Sequence, residues 1–149
     1  MVQQRRLKVV VFTIGGQSFD CQLQSWTMDP GEDDGDRQWT FCSEASTPEN
    51  PTPNSFIEET DGEPTLQCTF YSDWRENGIS DYLYAHNKEV ADFVLDHHPD
   101  IVGEHVRWSG QLVIKAPPVG GDARDTEQSE VTFQVLGSLG DGLTYERVA

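Results

Sequence analysis

Hydrophobic positions along this chain recur mostly every second residue, which is the period of β-structure. Residues 7–14 form a β-branched run that ends at Gly15-Gly16. In residues 18–24, Phe19, Cys21 and Leu23 alternate with polar neighbours. Two such runs around a glycine pair predict a β-hairpin. Further strands are predicted over 38–43, 65–71, 90–95, 105–115, 130–136 and 143–148. Within 105–115 the apolar side changes near Gly110, where a glycine in a strand pattern marks a bulge or bend.

One segment has the helical period instead. Ile79, Tyr82, Leu83 and His86 recur at i, i+3, i+4 and i+7, predicting a short helix at about 79–86. Ser80 or Asn77 suits its start, and Asn87 suits a left-handed residue at its end. Two to three turns are too few to be stable alone, so this helix must lean on a sheet. The fold class expected is mostly β: an antiparallel β-sandwich or barrel with one short flanking α-helix, built as a single domain over 1–149.

Charge narrows the possible partners. With 10 Lys plus Arg against 26 Asp plus Glu among 149 residues, the formal net charge is −16. A phosphate-binding basic patch and an anionic membrane surface are both poor matches for such a chain. Disorder is a poor match too, because 36% of the residues are hydrophobic and 10% aromatic. No apolar run approaches a membrane span, and residues 1–12 lack the long apolar stretch and small-residue cleavage site of a signal peptide. Cys21, Cys42 and Cys68 are odd in number and widely spaced, as expected of reduced thiols.

Residues 29–63 differ in kind. They hold eleven acids against one base, Arg37, together with Pro30, Pro48, Pro51 and Pro53. A loop of that length is either a solvated excursion or functional. Its aromatic and aliphatic residues favour a docking arm with Trp39, Phe41, Phe56 and Ile57 as anchors.

Motifs for chemistry fail one by one. In residues 29–36, placing Gly35 as the required glycine of a calcium loop puts Pro30 at the first ligand position and Phe41 where a bidentate Glu belongs. His97 and His98 point to opposite faces of a strand, and Pro99 predicts a solvated turn there, not a metal site. There is no nucleophile elbow, phosphate loop, dinucleotide motif or His-Glu-x-x-His. Trp26, Trp39, Trp74 and Trp108 are scattered and read as anchors in a core or interface. No cofactor, metal or catalytic residue is expected, and the chain is not expected to be an enzyme.

Several stretches, in order along the chain, resemble the major tail (tail tube) proteins of long-tailed bacteriophages, especially short forms from phages of actinobacteria. They are Phe19-Asp-Cys-Gln-Leu-Gln-Ser-Trp26, Phe70-Tyr-Ser-Asp-Trp-Arg-Glu-Asn-Gly-Ile-Ser-Asp-Tyr-Leu83, Asp92-Phe-Val-Leu-Asp-His-His-Pro99, Trp108-Ser-Gly-Gln-Leu-Val-Ile-Lys-Ala-Pro117 and Glu130-Val-Thr-Phe-Gln-Val-Leu-Gly137.

The resemblance implies a β-sandwich with one flanking helix. It implies subunits that assemble, usually six to a ring, into stacked rings forming a tube, with a long loop reaching a neighbouring ring. The partners implied are other copies of the chain and other tail proteins, in a virion tail assembled in the host cytoplasm. Viral DNA passes through without specific binding. The N-terminal segment and first strand (Arg5, Arg6, Lys8, Val10, Phe12) are candidates for a subunit seam. An acidic lumen would repel phosphates, and the 18–24 alternation puts Asp20 opposite the core face as a candidate lining residue. The alternative is a head-decoration or other virion-surface module of β-sandwich fold; a carbohydrate-binding module is a more remote one.

Overall fold

The computed structural model describes residues 2–148. Its strands are β1 (Val10–Ile14), β2 (Gln17–Ser18), β3 (Leu23–Asp29), β4 (Arg37–Trp39), β5 (Ser55–Ile57), β6 (Thr65–Tyr71), β7 (Val90–His97), β8 (Val106–Val113), β9 (Gln128–Val135), β10 (Ser138–Leu139) and β11 (Gly142–Arg147). The helix α1 (Ile79–Ala85) lies between β6 and β7. Nine strands share one sheet, ordered β2-β1-β7-β8-β9-β6-β3, with β11 on the first half of β8 and β10 beside β11. The pairs are antiparallel except β10 with β11.

Period-two patterning explains the core. On β9, Ser129, Val131, Phe133 and Val135 are buried, and the residues between them are exposed. Leu66, Cys68 and Phe70 of β6 and Phe12 and Ile14 of β1 join the same cluster, with Phe93 and Leu95 of β7. The sheet curls: Trp26 on β3 meets His97 on β7 (5.2 Å) and Trp108 on β8 (6.2 Å), although β6 and β9 lie between β3 and β8. It does not close into a barrel. α1 buries Ile79, Ser80, Tyr82 and Leu83, with Tyr82 against Phe19 at 5.4 Å.

Gly110 is where β8 changes neighbours. Residues up to Ser109 pair with β11, while Leu112 and Val113 pair with β9. A Cβ on Gly110 would lie 2.9 Å from the Gly142 carbonyl oxygen, so the glycine lets β11 approach. The strand itself runs through this point without a bulge in its pairing to β7.

Three local expectations need correction. The second hairpin strand stops after Ser18, and residues 20–22 turn before β3 begins. Phe19 is therefore buried while Cys21 is exposed, and the predicted common face does not exist. The helix cap is Gly78, with no side-chain bond. Asn77 is instead left-handed (φ 61°), and the Ser80 hydroxyl accepts the Asp73 N–H (3.2 Å). At the other end Lys88, not Asn87, is left-handed (φ 70°), and the Asn87 side chain accepts the Ala116 N–H (2.9 Å).

Candidate functional site

Within the long loop 29–63, β4 and β5 pair as a short two-stranded ribbon, and residues 40–54 form the loop at its end. The register that sets Trp26 opposite Cys68 and Asp29 opposite Thr65 continues without a slip to Arg37 opposite Ile57 and Trp39 opposite Ser55. Bonds cross it along its length. Glu63 N–H donates to the Gly31 carbonyl (3.2 Å), the Thr60 hydroxyl to that of Asp33 (2.7 Å), Glu58 N–H to that of Asp36 (2.9 Å) and Thr40 N–H to that of Asn54 (2.7 Å). A Cβ on Gly31 would strike the Glu63 carbonyl and one on Gly35 the Glu58 carbonyl, so both glycines let the limbs close. β3, the arm and β6 thus form one long hairpin.

The ribbon separates the four expected anchors. In the β4–β5 register, Arg37, Trp39 and Ile57 share one face, and Phe56 lies opposite Gln38 on the other. All four anchors are exposed: Trp39 by 65%, Phe56 by 53%, Ile57 by 58%, and Phe41 fully. The Arg37 guanidinium sits 5.8 Å from the Trp39 ring centre. Trp39, Phe56 and Ile57 are thus exposed in the described chain on two different faces of the ribbon.

A groove of about 350 Å³ lies between the N-terminal segment and β3, lined by Leu7, Lys8, Val9, Val10, Asp20, Cys21, Leu23, Gln24, Ser25 and Trp26. β3 ends the sheet order, so its outer edge has no partner strand. Lys8 also lines a neighbouring depression with Arg5 and Arg6. Arg5 donates to Glu104 (2.6 Å), which tethers the segment to the body. Among the seam candidates, Arg5, Arg6 and Lys8 are exposed and Val10 is half-buried. Phe12 is fully buried, and its side chain belongs to the core. Asp20 is half-buried in the turn before β3, bonded by the Ser18 hydroxyl; no strand face presents it.

A different polar face is built by β3, β6 and β9. Ser25, Thr69 and Glu130 form one row, Thr27, Gln67 and Thr132 the next, and Asp29, Thr65 and Gln134 the third. It carries two acids and no base.

The predicted solvated turn at His97-His98 is mostly buried. β7 runs through His97, and His98 follows with φ 53° and 9% exposure. Their ring centres lie 3.9 Å apart, with the planes tilted by 54°. Burial, then the neighbouring His98, pushes the His97 pKa below its ordinary value. Beside them Asp96 accepts from Arg107 Nε (2.6 Å) and Nη2 (3.1 Å), and His105 lies 3.3 Å away. The Arg107 bond holds the Asp96 carboxyl below the usual range despite desolvation. Sequence distance hid His105 from this corner; the alternation of β7 against β8 brings it in. Among the described residues no three His, Cys, Asp or Glu side chains gather to hold a metal. Burial raises the Cys68 thiol to about 12, which leaves it unreactive, and Cys21 and Cys42 are exposed. No described helix is long and apolar enough to cross a membrane.

No known family pattern matches the sequence, and no curated protein matches it. Among solved structures, the chain is similar to one in the cryo-EM structure of an extracellular contractile injection system, the PVC sheath/tube terminator in its extended state. The two are 12% identical and superpose with a TM-score of 0.55, over 97% of this chain and 98% of that chain. A likeness of this kind, spanning both chains nearly end to end, is one of fold.

Proposed function

We propose that this protein is a structural subunit of a phage-type tail, assembling with copies of itself into rings at or along the tail tube. The observation that carries the reading is the fold likeness to a tube terminator over nearly the whole of both chains. Two features support it: an exposed ribbon tipped with apolar residues, and a sheet with an unpartnered edge strand. Closing a ring gives such edges partners. The role needs no bond chemistry, so we assign no catalytic residue, and its setting is the virion tail.

In the stacked-tube form, six subunits to a ring and as in a major tail protein, we assign the lumen to the β3–β6–β9 face. Its three rows offer hydroxyls, amides and two carboxylates, and Lys115 at its border shares a depression with Glu130 and Thr132, so few positive charges would hold each passing phosphate. Asp20, in its turn, loses this assignment. The fold neighbour favours a second reading, a single ring that ends the tube. Negative-stain microscopy of the purified chain separates them. Long tubes support the major tail role, and rings that never stack unaided support the terminator role. A monodisperse monomer at high concentration contradicts both.

A further inference from the structure

Two exposed surfaces of this chain are complementary to each other. The arm presents Trp39 and Ile57 on one ribbon face, set among acids on both limbs. The groove beside β3 is lined by the half-buried Val10, Leu23 and Trp26 and by the exposed Lys8, with Asp20 its one acid; Arg6 and Arg5, the latter paired with Glu104, adjoin it. Those three bases stand within four residues in a chain that has only ten, and the arm holds eleven of the 26 acids. The groove also runs along an edge strand whose outward backbone groups lack a strand partner. Within one molecule the arm hairpin is exposed on β4 and most of β5, so its apolar face has not found this groove.

We infer that the groove between the N-terminal segment and β3 receives the ribbon arm of a second copy. The inference rests on the assembly reading above and adds its contact: Trp39 and Ile57 pack against Val10, Leu23 and Trp26, and the limb acids meet Arg5, Arg6 and Lys8. Apolar burial supplies affinity, and the opposed charges set orientation and speed of encounter. The two surfaces are different patches, so the contact is heterologous; each copy gives an arm and accepts one, which closes rings or propagates stacks.

The test uses two full-length variants, each retaining one half. R5E/R6E/K8E reverses the charges at the groove's rim and keeps the arm; W39S/I57S blunts the arm and keeps the groove. All five positions are exposed, and circular dichroism checks that both variants fold. In sedimentation velocity at low salt, each variant alone self-associates about tenfold or more weakly than wild type. Mixed, they form a 1:1 complex that grows no further and loosens as salt rises. Carrying the rim reversal together with E58K/E59K in one chain restores self-association. A mixture that stays monomeric overturns the inference, as does a rim-reversed chain that assembles like wild type. Assembly of both single variants into rings overturns this contact while leaving the ring reading intact. A 1:1 complex from a chain that never forms rings does the reverse.

Discussion

The body of the β3–β6 hairpin and its outer half, the arm, share one backbone register and have opposite fates. In the body, Leu66, Cys68 and Phe70 turn one face of β6 into core, and Trp26 and Met28 of β3 pack against that core. Beyond Asp29 and Thr65 the pairing continues, but acids, prolines and glycines replace the apolar alternation. Backbone pairing alone makes a marginal two-stranded ribbon; stability comes where one face is buried. The body therefore carries stability, and the arm, with apolar residues left exposed, is the part we propose for association.

The sharpest way to break this division is to truncate a core residue. Phe133→Ala, at a position 1% exposed, is expected to cost about 3–5 kcal/mol in chemical denaturation. A comparable cost from any arm substitution would mean that the arm is packed like the body. Next in size is Asp96→Asn, which leaves Arg107 without its carboxylate and is expected to cost about 2 kcal/mol near neutral pH. The sign follows from the depressed carboxyl. The pair contributes fully above the ordinary value of 3.8 and is lost as pH falls through the lower folded-state value. The variant and wild type should therefore converge in strong acid.

A smaller effect is expected at His97, whose folded-state pKa lies below the ordinary 6.5. The unfolded chain takes up this proton more readily, so stability falls as pH drops below 6.5. His97→Phe keeps a ring against Trp26 and should flatten that part of the stability–pH profile. An unchanged profile would assign the dependence to another group. The smallest stability effect belongs to the arm: Trp39→Ser with Ile57→Ser should move the unfolding free energy by no more than about 0.5 kcal/mol.

What was legible in the sequence follows the same division. β6 spans 65–71 as the alternation predicts, and β7, β8, β9, β11 and the helix fall within a few residues of their predicted bounds; on β6 and β9 the burial of one face imprints the period. The arm has no buried face, so its pairing left no apolar period. Glycines 31, 35 and 62 were the readable trace of two closely apposed limbs. Phe19-Cys21-Leu23 misled because alternation persisted through a turn, which leaves Asp20 half-buried and off any strand face. Phe12 is expected in the seam with the rest of its strand, but the pairing of β1 with β7 puts its side chain in the core. The anchors Trp39, Phe41, Phe56 and Ile57 were visible as apolar residues in an acidic setting, but their division between two ribbon faces needed the register.

The central claim is that this chain builds rings through its arm. Negative-stain microscopy of wild type and W39S/I57S side by side, at equal concentration and with equal thermal stability confirmed, tests it directly. The account predicts rings or tubes from wild type and folded monomers from the variant. Indistinguishable assemblies from the two, or folded monomers from both, would contradict it.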